Sequence, residues 1–516
     1  MSTRRLLLRG GLVADGIGDV VVRADVLVNG ATIEAVGLGL GEVDAEVIEL
    51  AEGSVVCPGF IDAHVHAEGP LLADGVVPGA LAQGVTTLVV GQDGSSWIGA
   101  NPDTVAYLNR YFGPVNGTFP RPGPCRLSDY TELVAGRLDQ NVAVLASQGT
   151  IRHNIVGAVD RPLTPDELAA ARADLEQELA AGAVGLSSGL DYVPSRHSSP
   201  DELAALASPL AGTGRPYVSH LRTYGPKLID GLAELAHVGA TAGVPVHASH
   251  LWGEPADLDV ALTDAEARGI AMTFDMYPYI RSSTILAMLV LPPALQAGGQ
   301  DATLRRLTDP ALRADLLASP AFSDDALANV YLALLPDRLA HHAGSTIAQA
   351  AATDGKPPGL WTLDLLVDTR LQIGANLNRP AFTEDQLRAI VTHPRHSAGS
   401  DGIYQGQHPH PRAYGAFARL AGYYTNPAGQ IDHQQLVRHL ATNAADTYGL
   451  HGRGRIGVGR AADLAILNQA GIVDSADYAD PRDLADGIAF VVVNGTIVRQ
   501  KGRPTDNGHP GAVIGY

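Results

Sequence analysis

Apolar, β-branched runs that close in polar residues recur through the middle of the chain. They read GFIDAHVH over 59–66, VTTLVVGQDG over 85–94, NVAVLASQG over 141–149 and AVGLSSGL over 183–190. RPYVSHLR over 215–222, VPVHASHL over 244–251, IAMTFDMYPY over 270–279 and HSAGSDG over 396–402 continue the series to eight. Runs of this length and residue type predict strands. Between several of them stand helix start signals: Thr164, Pro165 and Glu167, then Ser199, Pro200 and Glu202, each a capping-box pattern with proline at the first helical position. Strands alternating with helices eight times predict an α/β fold of the (β/α)8 TIM-barrel type, a doubly wound open sheet being the alternative. Residues 292–380 interrupt the rhythm with a Pro- and Ala-rich helical stretch, read as an insertion after the seventh strand and a candidate lid.

The ends of the chain have a different pattern. Short β-type runs broken by Gly, Asn and Asp fill residues 1–57, with Asn29-Gly30 as a hairpin signal, and GRAADLAILN and AFVVVNGTIVRQKG echo them near the C-terminus. The expected organisation is a small discontinuous β-sandwich built from 1–57 and 456–516 around a catalytic barrel at 58–455.

Composition narrows the class of partner. A chain of 516 residues with 46% hydrophobic and 18% charged residues has a large core and does not describe a disordered protein. Its formal charge of −19 argues against nucleic acid or an anionic membrane surface and leaves a small molecule as the expected partner. Cys57 and Cys125, far apart and outside any CxxC, give no disulfide framework. With no apolar run of membrane-spanning length and an N-terminal stretch too short for a signal-peptide core, the expectation is a cytoplasmic protein. A homo-oligomer is left open.

Candidate chemistry lies where the strands end. On a strand His64 and His66 share one side, so both imidazoles can reach one cation or two neighbouring ones. Barrel enzymes carry their catalytic groups at the C-terminal ends of the strands. There the sequence places His64 and His66, Asp93, His220, His250 and Asp401. Period two puts Val218 with His220, and Val246 and Ala248 with His250, on inward rows, and leaves His247 on the opposite face. Imidazoles and carboxylates together suit a zinc-type ion.

PGFIDAHVH, GVTTLVVG, GLSSGLDYVP, VPVHASHL, DMYPY, GSDG and HPRAYGAFAR resemble the amidohydrolase superfamily, and within it the N-acyl-D-amino-acid deacylases, or D-aminoacylases. The resemblance runs over nearly the whole chain and implies the same barrel with a terminal β-domain. It implies His64, His66, His220 and His250 as ligands to one or two Zn²⁺ ions, other divalent metals being allowed, and Asp401 as the catalytic aspartate. Asp93 stands where the family carries a zinc-binding cysteine, and a carboxylate is a harder ligand than a thiolate. The fourth run has no lysine, unlike the many amidohydrolases that bridge two metals with a carboxylated one. Arg412 matches the arginine beside the substrate carboxylate, and Tyr192, Tyr277 and Ser283 match positions near the substrate. Trp252 replaces a lysine, and Tyr224 stands where the family has an acidic residue, which widens the expected substrates to larger, more apolar or D-residue-containing amides. The implied reaction is hydrolysis of the amide of an N-acyl-D-amino acid, with Asp401 as general base and then acid toward a metal-activated water. Cyclic amidohydrolase, peptidase-like amidase or deaminase chemistry on the same barrel, and a non-enzymatic scaffold, are the competing readings.

Overall fold

The β-branched runs carry too few polar side chains to face water on either side, and they form parallel strands buried on both faces. In the computed structural model, which describes residues 5–41, 43–121, 123, 125–425, 431–469 and 471–516, eight such strands close into a barrel. The first (Phe60–Asp62, continued by Val65–His66), second (Val85–Val90) and third (Asn141–Val144, then Ala146–Ser147) pair in order. The fourth (Leu186–Gly189), fifth (Tyr217–His220), sixth (Val246–Ala248), seventh (Met272–Met276) and eighth (His396–Ala398) follow in parallel. Gly402–Ile403 pairs with Val65–His66 and completes the ring.

Inside the barrel Ile61, Ala63, Val89, Ala143, Leu145, Val184 and Val218 meet Ala444, Tyr448 and Leu450 from beyond the eighth strand. The Tyr448 hydroxyl donates to the Ala63 carbonyl at 2.9 Å, which fixes this plug. Outside, Leu88, Leu186 and Phe274 pack with the surrounding helices in the main core. One of the expected rows is reversed. Val246 and Ala248 belong to the outer core, and Val246 packs against Gly239 in the helix Leu228–Ala242. His247 is the inward residue, ringed against Tyr448, and His250 reaches the barrel mouth because the strand ends at Ala248 and the chain turns.

The capping signals separate in a similar way. Thr164 and Glu167 form the full reciprocal box at the start of Pro165–Ala180. Ser199 caps Pro200–Ala207, but the Glu202 carboxylate turns instead to the buried Arg152 and to the Leu163 amide.

Strands from the two ends of the chain share one nine-stranded sheet. Val55–Pro58 lies between Arg5–Val13, parallel to it, and Leu464–Leu467, antiparallel. Period two divides the side chains: Leu6, Leu8, Val26, Val56, Leu464, Ile466 and Val492 enclose a core of their own, whereas Val55, Cys57, Ala465, Leu467 and Val493 join the main core. Both cysteines are buried and free. The stretch read as a helical insertion also carries strands. Val330–Leu334 and Gly374–Leu377 form an antiparallel sheet with Ser282–Ile285, among short helices. Among the described residues no helix is long and apolar enough to cross a membrane.

Gly91, which follows the second strand, has φ +80°, and a Cβ there would lie 2.3 Å from the Leu145 carbonyl oxygen. Gly91→Ala is expected to cost at least about 2 kcal/mol, from left-handed backbone strain plus that collision. Gly269, with φ +71° and open space around it, is the control. Thermal denaturation of both variants should show a clearly larger fall in Tm for Gly91→Ala; equal falls would mean that the second and third strands do not pack this tightly.

Candidate metal centre

The strand ends deliver six side chains to one point at the barrel mouth. Asp93 is the hub. Its Oδ1 lies 3.6 Å from both His64 Nε2 and His250 Nε2, and its Oδ2 lies 3.6 Å from both His66 Nε2 and His220 Nδ1. Asp401 Oδ1 is 3.3 Å from His66 Nε2 and 3.8 Å from His64 Nε2. Donors bonded to one tetrahedral ion at about 2.0–2.2 Å stand roughly 3.3–3.6 Å apart, so these spacings are those of a ligand shell. Two triplets share His64: one adds His66 and Asp401, the other Asp93 and His250. They give room for one ion or two adjacent ones.

Three of these residues reach the centre only through left-handed backbone: Asp93 at φ 56°, His250 at φ 34° and Asp401 at φ 47°. Only seven non-glycine residues among those described have positive φ, so the strain concentrates here. It turns each side chain back over the barrel mouth after its strand has ended. For Asp93 the Gly91 and Gly94 turns on either side allow the reversal.

Charge makes the same point as distance. Burial would raise the Asp93 carboxyl, yet His220, His250 and His66 hold it well below the usual carboxylate range. Burial would likewise raise Asp401, and Arg412, His66, His250 and His64 hold it down. Their combined negative charge acts back on the rings: against the effect of burial, Asp401 and Asp93 push His66 up to about 10. Two buried carboxylates thus demand a positive charge, and both nitrogens of His64 and Oδ1 of Asp93 lack a hydrogen-bond partner. A divalent cation fits this donor set.

The surroundings aim the ligands. His66 Nδ1 bonds Asn116 Oδ1 at 2.8 Å, leaving Nε2 to face the centre, and Asn116 in turn donates to the buried Glu68 at 3.3 Å. Below the site Asp275 sits with Oδ2 3.5 Å from His64 Nδ1 and 3.0 Å from His247 Nε2, while Oδ1 accepts the His250 amide at 2.9 Å. Asp275, in DMYPY at the end of the seventh strand, follows the same strand-end rule and is a site residue beyond those expected from the sequence. Asn116 and Glu68 stand in loop and helix and gave no such signal.

A cavity of about 220 Å³ opens above the centre. Tyr192, Trp252, Tyr277 and Ser283 line it, with Tyr224, Thr284, Met288, Leu289, Leu377 and Arg379. Tyr224 packs edge-on to His220 at 5.3 Å, and its hydroxyl donates to the Ser249 carbonyl at 3.0 Å. Arg412 is fully buried and does not line the cavity. Its Nη1 stands 2.8 Å from Asp401 Oδ2, its Nη2 donates to the Ser283 carbonyl at 3.3 Å, and its guanidinium lies over the Tyr277 ring.

Because Asp275 fixes two histidines at once, Asp275→Asn is expected to lower metal affinity about 10–100-fold, the range for lost orienting partners. Competition with a chelator would measure it, and unchanged affinity would reduce Asp275 to a packing role.

A model of the amidohydrolase family matches residues 298–499. The chain is 29% identical over 519 residues to a D-aminoacylase of Alcaligenes xylosoxydans xylosoxydans, covering 99% of this chain and 97% of that one. It is also 29% identical over 518 residues to the N-acyl-D-glutamate deacylase of the same organism, covering 99% and 96%. The structure superposes with a TM-score of 0.84, at 27% identity and 100% coverage of both chains, on N-acyl-D-glutamate deacylase of Bordetella bronchiseptica in complex with zinc and a phosphonate inhibitor that mimics the tetrahedral intermediate. This end-to-end likeness, with the barrel and its cluster of imidazoles and carboxylates, makes the chain similar to the D-aminoacylases among the amidohydrolases.

Proposed function

We propose that this protein is a metal-dependent hydrolase of the amide bond of N-acyl-D-amino acids. The observation that carries the reading is Asp401, held between His66 and Arg412 at the floor of a cavity sized for a small amide. His64, His66, Asp93, His220 and His250 would hold the ion, with zinc as the expected metal. When bound, such an ion polarises the scissile carbonyl and lowers the pKa of a water to about 7.

The remaining work falls to the protein. Arg412 keeps the Asp401 carboxylate ionised and fixes its orientation, so that Oδ1 faces the cluster while Oδ2 is engaged. Asp401 takes a proton from the attacking water and returns it to the departing amine, a transfer contributing typically 10²–10⁴-fold to rate. Val115, Met288, Leu289, Leu377 and Ile403 line the cavity with apolar surface, which excludes bulk water and receives apolar parts of the substrate. The hydroxyls of Tyr192 and Thr284, 2.9 Å apart, and that of Ser283 are the donors and acceptors available to the amide.

The test begins with chelation, followed by zinc restoration and assay of paired N-acyl-D- and N-acyl-L-amino acids. Hydrolysis should return only with the metal and be confined to the D-series. Asp401→Asn should lose about 10³-fold in kcat while retaining its zinc. Hydrolysis of the L-series alone, or full activity in Asp401→Asn, contradicts the reading.

A further inference from the structure

We propose that His341, His342 and Asp354 form a second metal site, away from the barrel mouth, that takes a zinc-type divalent ion and braces the inserted sheet. Among the described residues they are the one group of three histidines and carboxylates, with ligand atoms within 4.8 Å of one another, that uses none of the barrel's strand-end residues. None of the three lines the cavity, so the site stands apart from the hydrolysis reading. His342 is 2% exposed, yet its Nε2 has no hydrogen-bond partner. That nitrogen lies 3.3 Å from Asp354 Oδ1 without bonding it, which is the separation of two donors on one tetrahedral ion.

The local fold brings these groups together. The 3₁₀ segment Asp337–His342 ends with the two histidines side by side, their ring centroids 3.9 Å apart. Thr346 and Gln349 then form a capping box at the start of Ile347–Thr353, and Asp354, at the end of that helix, is carried back to His342. Trp361, in the next helix Pro358–Asp368, seats two of the three residues. Its Nε1 donates to Asp354 Oδ2 at 2.8 Å, leaving Oδ1 to face the histidine, and its ring meets the His342 ring edge-on at 5.6 Å. Ligands held by outer partners in this way lose little freedom when they take up an ion. His341 is exposed, with room to swing its ring onto the same point.

The donor set chooses the ion. Two imidazoles to one carboxylate suit zinc, copper or nickel, whereas magnesium and calcium take oxygen ligands. Exposure of His341 and Asp354 leaves the remaining coordination positions to water. The consequence is mechanical. Gly344, two residues past His342, donates to the Leu332 carbonyl at 2.8 Å, and the Leu332 amide donates to the Ser345 carbonyl at 2.9 Å. The turn after the histidines is thus stitched to Val330–Leu334, the edge strand of the inserted sheet. Through Gly374–Leu377 that strand is joined to Ser282–Ile285, whose first three residues line the cavity. An ion held by His341, His342 and Asp354 fastens the outer edge of the sheet that walls the cavity.

The full-length protein is equilibrated with Zn²⁺ at buffered free concentrations, bound zinc is counted by mass spectrometry, and amide hydrogen exchange is followed over residues 330–354. Wild type should hold one equivalent more than His341→Ala or Asp354→Asn, whose affinity at this site should fall by at least the about 10–100-fold that a lost orienting partner costs. The count is a difference, so it stands whatever the barrel mouth holds. His341→Ala removes an exposed ring and Asp354→Asn keeps an acceptor for Trp361, so both variants should match wild type in Tm without added zinc. With free zinc at about ten times the dissociation constant, exchange at the Leu332 and Gly344 amides should slow about tenfold in wild type and stay unchanged in both variants. His237→Ala, which removes an exposed histidine paired with Asp201, is the control and should hold as much zinc as wild type. Equal zinc in wild type and both variants would leave His342 and Asp354 as an ion pair and overturn the site. An equal loss in His237→Ala, or exchange at Leu332 and Gly344 that ignores zinc, would overturn it as well.

Discussion

One buried carboxylate governs the architecture of the site. Asp93 lies 97% out of solvent with four imidazole nitrogens at 3.6 Å, two to each oxygen. An uncompensated anion at such depth would be expensive, and an imidazolium for each neighbour would be equally so. A cation shared among these groups resolves both costs. Strand length, turn geometry and orienting partners all serve that arrangement. His64 and His66 come from a first strand that breaks after Asp62, and the eighth pauses at Asp401 before pairing again at Gly402. These breaks let ligands from opposite ends of the chain approach within hydrogen-bonding range.

How much of this is legible in residue order depends on whether the geometry is periodic. The barrel is periodic: runs such as VTTLVV are buried along their whole length and could only be interior strands. The HxH pair is also periodic, since two residues along a strand return to one face. His250 shows where periodicity stops. Extending the sixth strand to it put Val246 and Ala248 on the wrong side, because the strand ends at Ala248 and a left-handed residue follows. His250 reaches the barrel mouth through a turn beyond the strand, not along it. Asp275 obeys the strand-end rule, standing near the close of Met272–Met276 and bonded to His247. Glu202 shows a different limit: a capping box is a local pattern, and the buried Arg152 outcompetes the local backbone for its carboxylate.

The orienting partners explain why the site needs more than its ligands. An imidazole can present either nitrogen, and the choice is made by whatever the other one bonds. His66 turns Nε2 to the centre because Nδ1 is taken by Asn116, whose amide is itself held by Glu68 and the Ser95 carbonyl. His220 does the reverse, facing the cluster with Nδ1. These partners lie in loops and short helices distant in sequence from the ligands they set, so no spacing rule announces them.

Two arginines, one beneath the cavity and one in its wall, reach Tyr277 from different elements. Arg412 stands in a motif, which makes it visible, and it is buried with Nη1 2.8 Å from Asp401 Oδ2. Arg379 follows the Gly374–Leu377 strand within the stretch that interrupts the barrel's rhythm, and it has no motif at all. It reaches the cavity because that strand pairs with Ser282–Ile285, whose first three residues line the same space. Two strands far apart in the chain thus become one wall. The aromatic surface of Trp252 then acts as the platform on which the guanidinium lies. An aromatic residue beside the sixth strand does not remove positive charge from the cavity, because it fixes a cation delivered from the inserted sheet. The inserted sheet thus brings a cation to the cavity on an element separate from the strands that carry the imidazole and carboxylate cluster.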